Sequence, residues 1–378
     1  MKRLALALLA LVFAFAVFPH ERVTHAGIGG GIKAPLVNIT PASLPGLFLW
    51  MRGDKGIVLT PSAVVATGTT PPAVTLTGTP SQSTAWSAAT TSIEIDITTL
   101  GARGTALFTW KLNGVTQQTG QTTAATFLLG STGITANFPT GTYAANNVYT
   151  SQAVLSSWTD LSANAVVFTP ATVAFAWNAS DATFGGQASV TGISTNSMLA
   201  GATTTQIQPL SVYVVFMLSA VNAQQNFVWT SPTEINILNT GYAPYAGSYS
   251  PVGTPDTGAH AWLSVLNGAG ASQVWVDSST TALSTALSIG SSGWGAPLRL
   301  GNTSAGFAGN VAEIFAFSGV QTSGQRALMF RYIHARYGLT VADNDNATDW
   351  RLALLDLPRA PVNDVLVGWP YALASGLH

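Results

Sequence analysis

Cysteine is absent from all 378 residues, which excludes disulfides, thiol nucleophiles and cysteine-ligated metals. Charge is scarce: Asp, Glu, Lys and Arg together make up 8% of the chain, against roughly a quarter in ordinary globular domains. The 14 basic and 15 acidic residues leave a formal charge of −1, without the basic face that nucleic-acid binders carry. Beyond residue 18 no unbroken apolar run approaches the roughly 20 residues that a spanning helix needs. Hydrophobic residues still account for 47% of the sequence, scattered among Thr, Ser, Gly and Asn. That dispersion fits many short strands joined by turns. Hydroxyl- and amide-rich surfaces of low charge suit neutral partners such as glycans, or neighbours in a protein assembly.

The start of the chain has its own chemistry. Lys2 and Arg3 precede the apolar stretch Leu4–Phe18, and Ala26 offers a small residue before Gly27. The pattern predicts a signal peptide, or a hydrophobic anchor, over 1–26. A Gly- and Pro-rich linker follows over 27–43. Leu47–Met51 reads as a first buried strand, and the ATGTTPP run from Ala66 to Pro72 as a boundary.

Residues 67–153 then read as a small β-domain of their own. Ile93, Ile95 and Ile97 alternate with Glu94 and Asp96 as in a half-buried strand. Asn113-Gly114 is a type I′ hairpin signal. A longer β-series starts at Val154, with strands expected at 210–219, 226–229, 234–238, 261–267, 271–276 and 309–318, among others. One segment, 322–337, has helical spacing, with Thr322 or Ser323 as N-cap and Gly338 as the stop. The tail 340–378 is expected to be extended.

The pieces LPGLFLWMRGDKGI, SSWTDLSANAVVFT, AWLSVLNGAGASQVWVD, GFAGNVAEIFAFSGV and RALMFRYIHARYGL follow one another in an order that resembles the laminin-G-like, concanavalin-A-like lectin superfamily of bacterial and phage surface proteins. They bring Trp50, the Trp158-Thr-Asp160-Leu-Ser162 turn, the Trp262–Asp277 pair, Gly309–Glu313 and Tyr337-Gly338. The resemblance implies an all-β, jelly-roll sandwich formed by 44–66 and 154–339 with one short C-terminal capping helix. Residues 67–153 resemble small β-sandwich repeats of phage tail and fibre proteins, here as an inserted module. A loop whose ends lie close accepts such an insertion at little entropic cost.

Candidate chemistry is sparse. Glu94 and Asp96 lie on one strand face, about 7 Å apart, but Thr99 stands where a jelly-roll glycosidase would need its third acid, so a solvated pair is expected. Glu313 is a lone carboxylate, expected to be structural. Histidines at 20, 25, 260, 334 and 378 lack metal spacing or a nucleophile partner. Asp343–Asp349 is oxygen-rich like a calcium loop, yet it lacks the glycine and distal glutamate of an EF-hand; a solvated linker is the default, calcium the alternative, and no other cofactor is expected. Trp50, Trp158, Trp262 and Trp275 are assigned to the core. The loop Tyr242-Ala-Pro-Tyr245-Ala-Gly-Ser-Tyr249, together with Trp294 between glycines, concentrates aromatic faces of the kind that stack on sugars.

The reading is therefore an exported or virion-surface protein, not an enzyme, that binds a glycan or cell-surface polysaccharide through Tyr242, Tyr245, Tyr249 and Trp294. Nucleic acid is not expected as a partner, and membrane contact is not expected beyond the leader. A structural component packing against other virion or surface proteins is the alternative, and a glycoside hydrolase a distant third.

Overall fold

The computed structural model describes residues 39–80, 93–192, 197–200, 205–221, 224–302 and 305–342. The leader over 1–26, most of the linker, the Asp343–Asp349 loop and nearly all of the tail lie outside the described residues.

The fold is all-β, with every named ladder antiparallel, and closes on one long helix. The main sheet runs in the order 241–242, 234–238, 224–229, 299–301, 197–200, 167–170, 153–159, 176–181, 187–192, 309–318, 210–218, 259–266, 269–276, 284–288. Strand Leu47–Arg52 adds to 309–318, and Ile57–Pro61 to 153–159. Residues from both halves of this order meet in one apolar cluster, so the sheet folds over into two layers.

Period-two alternation explains the densest part of the sequence. In Leu210–Leu218 the even residues Leu210, Val212, Val214 and Phe216 join the cluster between the layers. Tyr213 and Val215 point the other way, into a second cluster beneath the helix. The same split places Trp262 in the first cluster and Leu263 and Val265 in the second. A strand buried on both faces reads as a continuous apolar run.

Helix Ser323–Tyr337 covers that second face with Leu328, Met329, Phe330 and Ile333. Thr322 is its N-cap and forms a capping box with Gln325, and Gly338 ends it at φ 68°. Glu313, wholly buried under the helix, accepts hydrogen bonds from Trp50 Nε1, from Tyr332 Oη at 2.9 Å and from Tyr337 Oη at 2.9 Å. Burial pushes its carboxyl up, against the pull of those three donors.

Strands between Val65 and Ser151 pair only with one another, in sheets of five, three and two. Asn113 and Gly114 both have positive φ, 49° and 78°, at the turn joining 107–112 to 115–122. Lys111 bridges Glu94 and Asp96 at 2.5 and 2.7 Å, so the two carboxylates hold a cation instead of flanking a substrate. Apolar residues of this segment, among them Ile95, Phe108 and Trp110, are continuous with the cluster of the main sandwich.

Candidate functional site

The helix covers one outer face of the sandwich; the other candidate face is the end of the sheet formed by 197–200, 299–301, 224–229 and 234–238. Its inward residues are Met198, Leu300, Val228, Ile235 and Ile237, all in the core. The residues that alternate with them form a register row: Arg299 opposite Trp229, Trp229 opposite Glu234, and Glu234 opposite Tyr245. Directly opposed residues share a face, so this row lies on the outer side.

Glu234 is the hub. Its Oε2 accepts from Asn236 Nδ2 at 2.7 Å, Gln224 Nε2 at 3.1 Å and Tyr249 Oη at 3.0 Å. All three bonds converge on one oxygen. The Tyr249 phenol is pushed up to about 12, first by burial and then by the Glu234 charge. The residue is 42% exposed, and its ring packs on Tyr245 with centroids 4.5 Å apart.

Beside Glu234, Asn226 and Asn236 face each other across the ladder, and both side chains are fully buried. Both side-chain polar atoms of Asn226 and the Oδ1 of Asn236 have no hydrogen-bond partner. Buried amides normally find partners, and each orphan costs about 1–3 kcal/mol. These three orphan atoms lie together, next to the Glu234 hub.

The structure separates the four aromatics singled out from sequence. Tyr245 and Tyr249 reach the outer face. Tyr242 is 3% exposed, packed edge-on against Trp262 at 5.4 Å, and burial pushes its phenol up. Trp294, also 3% exposed, packs edge-on against Phe48 at 5.2 Å while its backbone bonds both ways with Gln206. Neither of these two offers a ring face to solvent. Sequence reasoning missed Glu234, Asn236, Asn226 and Gln224. Polar residues inside the strands it had placed at 226–229 and 234–238 were the available signal.

A second polar cluster lies at the start of strand Ala259–Leu266. His260 Nδ1 meets Asp277 Oδ2 at 2.6 Å and its Nε2 meets Asp256 Oδ1 at 2.8 Å. Burial alone would lower the imidazole, but the two carboxylates outweigh it and the net shift is upward. Asp256 is held down by the Gly258 amide and by His260.

No family model and no curated protein matches the chain. Solved structures do. A Trypanosoma rangeli sialidase in complex with the inhibitor DANA matches at 10% identity, over 47% of this chain and 31% of that one, with a TM-score of 0.33. An arabinofuranosidase complexed with arabinofuranosyl-α-1,2-xylobiose matches at 14% identity, over 53% and 57%, with a TM-score of 0.40. A GH54 α-L-arabinofuranosidase soaked with a cyclic sulfate inhibitor gives 14%, 53%, 57% and 0.39. The chain thus spans about a third to just over half the length of the structures it matches. Every protein named here is a glycosidase, a finding that stands against the expectation that the chain is not an enzyme. Folding also gathers acids that a linear scan does not weigh together, bringing Asp256, His260 and Asp277 into one cluster. At these TM-scores the likeness transfers no active site.

Proposed function

We propose that this chain binds carbohydrate on the outer face of the 224–229 and 234–238 strands. The observation that carries the reading is the fully buried Asn226–Asn236 pair, which has three unpartnered amide atoms and is tied to Glu234 through Asn236 Nδ2. Carbohydrate sites combine an aromatic plate with a few fixed polar groups that take hydroxyls. Here Tyr249 is the plate, oriented by Tyr245 and by its bond to Glu234. Glu234 accepts one sugar hydroxyl, and the Asn226 amide supplies a further donor and acceptor. In the finer form of the proposal the chain is an exported or virion-surface adhesin of the laminin-G-like type. The sugar-acting proteins among its structural matches agree with the coarser form.

The test is a glycan array probed with purified chain, followed by titration of the best ligand against Tyr249→Ala and Asn226→Ala. Each substitution is expected to weaken binding several-fold to tenfold, about 1 kcal/mol for a lost stack or hydrogen bond. A silent array, or a ligand indifferent to both changes, refutes the site. A silent array would favour the assembly role, to which the buried positions of Tyr242 and Trp294 already lend support.

A further inference from the structure

We infer that the glycan bound on this face is acidic, and that Arg299 takes its anionic substituent; the inference rests on the carbohydrate reading above. Arg299 stands in the register row next to Trp229, with its guanidinium 5.7 Å from the centre of the indole ring. Both side chains are half-buried. A cation held over an aromatic face keeps a fixed direction and loses part of its hydration.

Arg299, like Arg103 and Arg326, has no carboxylate partner among the described residues, but Arg103 and Arg326 each donate to a backbone carbonyl. Arg52 and Arg336 share Asp54, and Lys111 lies between Glu94 and Asp96. Among the described residues no acid pairs with Arg299. Its neighbour across one ladder is Trp229, and the nearest acid in the row, Glu234, is two strands away. That places the two backbones about 10 Å apart, close to a Debye length at 0.1 M salt, so Glu234 neither neutralises Arg299 nor strongly repels an anion docked on it.

The Glu234 side of the row therefore accepts from hydroxyl donors, and the Arg299 side donates to an anion. A planar guanidinium fork matches a carboxylate in two parallel bonds and also takes sulfate oxygens. The ligand that satisfies both ends carries hydroxyls and a negative group within one or two sugar units. A near-neutral net charge conceals this, because it averages over the whole chain.

The experiment titrates the full chain by calorimetry with three probes of equal length: an oligogalacturonate, its carboxyl-reduced neutral counterpart, and a sulfated form of that neutral oligomer. At least one anionic probe is expected to bind about tenfold tighter than the neutral one, as a charge-assisted pair would give. Which anion leads identifies uronate or sulfate as the source. In Arg299→Met, which keeps the apolar stem on Trp229, the anionic-to-neutral ratio is expected to fall to about one, while Arg299→Lys retains part of it. The preference is also expected to shrink between about 0.05 and about 0.5 M salt. Neutral and anionic probes binding alike in the unsubstituted chain would overturn the inference and leave the carbohydrate reading standing. An anionic preference that survives in Arg299→Met would overturn the role of Arg299. Failure of all three probes, together with a silent array, would overturn both readings.

Discussion

Replacing Glu313 is expected to separate a buried charge from the hydrogen bonds it organises. In Glu313→Ala three donors lose their acceptor: Trp50 Nε1, Tyr332 Oη and Tyr337 Oη. Tyr337 is 1% exposed and Trp50 8%, so water cannot replace the carboxylate without entering the interface beneath the helix. At about 1–3 kcal/mol per stranded donor the loss is about 3–9 kcal/mol, and Arg336, which itself donates to Tyr337 Oη, offers the freed hydroxyl no acceptor. Glu313→Gln keeps the shape and one accepting oxygen, and either tyrosine hydroxyl can turn to accept from the new amide. It also removes the charge that burial penalises, so its cost should stay below about 2 kcal/mol. Urea unfolding followed by tryptophan fluorescence measures both changes, with the slope checked for constancy. The reasoning fails if Ala costs less than about 1 kcal/mol, or if Gln costs as much as Ala.

Trp294→Ala should destabilise by about 3–5 kcal/mol because the indole is core, whereas Tyr249→Ala should cost about 1 kcal/mol or less; thermal melts of the two variants distinguish them, and equal losses would mean that Tyr249 is structural. His260 has a raised folded-state value, so its contribution is full below the ordinary histidine range and is lost as pH rises through that raised value. Melting temperature should therefore fall from about pH 6 to about pH 8, and His260→Gln should flatten that fall; an unchanged profile rejects the assignment. Asp256 is lowered, so its share appears above the ordinary aspartate range and disappears as pH falls through the depressed value. Gly309 has φ 146°, and an added Cβ would lie 2.1 Å from the Met217 carbonyl; Gly309→Ala should cost about 2–4 kcal/mol, and a variant as stable as the parent by urea midpoint would contradict the backbone reading.

Much of the architecture was legible because burial on one or both faces leaves a period. The isoleucines of 93–99 and the run at 210–218 announce their strands, and Thr322 with Gly338 marks both ends of the helix. Strand Val115–Thr122 did not announce itself: it is an exposed edge with no core-facing residues to set a period. Trp294 misled for a specific reason. The glycines beside it suggest an exposed loop tip, but an added Cβ on Gly293 would lie 2.2 Å from the Gln206 carbonyl, and one on Gly295 2.5 Å from that of Ser231. They serve close backbone approach, which buries the indole. The Glu234 site was illegible because register, not sequence proximity, assembles it. Gln224, Glu234 and Tyr249 lie on separate segments, and Arg299 joins them only through the ladder.

The two chains that lead into and out of the 65–151 segment leave the sandwich side by side. Pro61 stands opposite Ala153, and just beyond them Ser62 N donates to the Gln152 carbonyl at 2.8 Å while Gln152 N donates to Ser62 Oγ at 3.0 Å. A load pulling that segment away from the sandwich would strain these rungs one at a time, as a zipper opens from its end. A load drawn along the strands would strain the whole 57–61 ladder at once. If a ligand anchors one part and an assembly anchors the other, the direction of tension at this paired stem decides whether the protein yields early or holds.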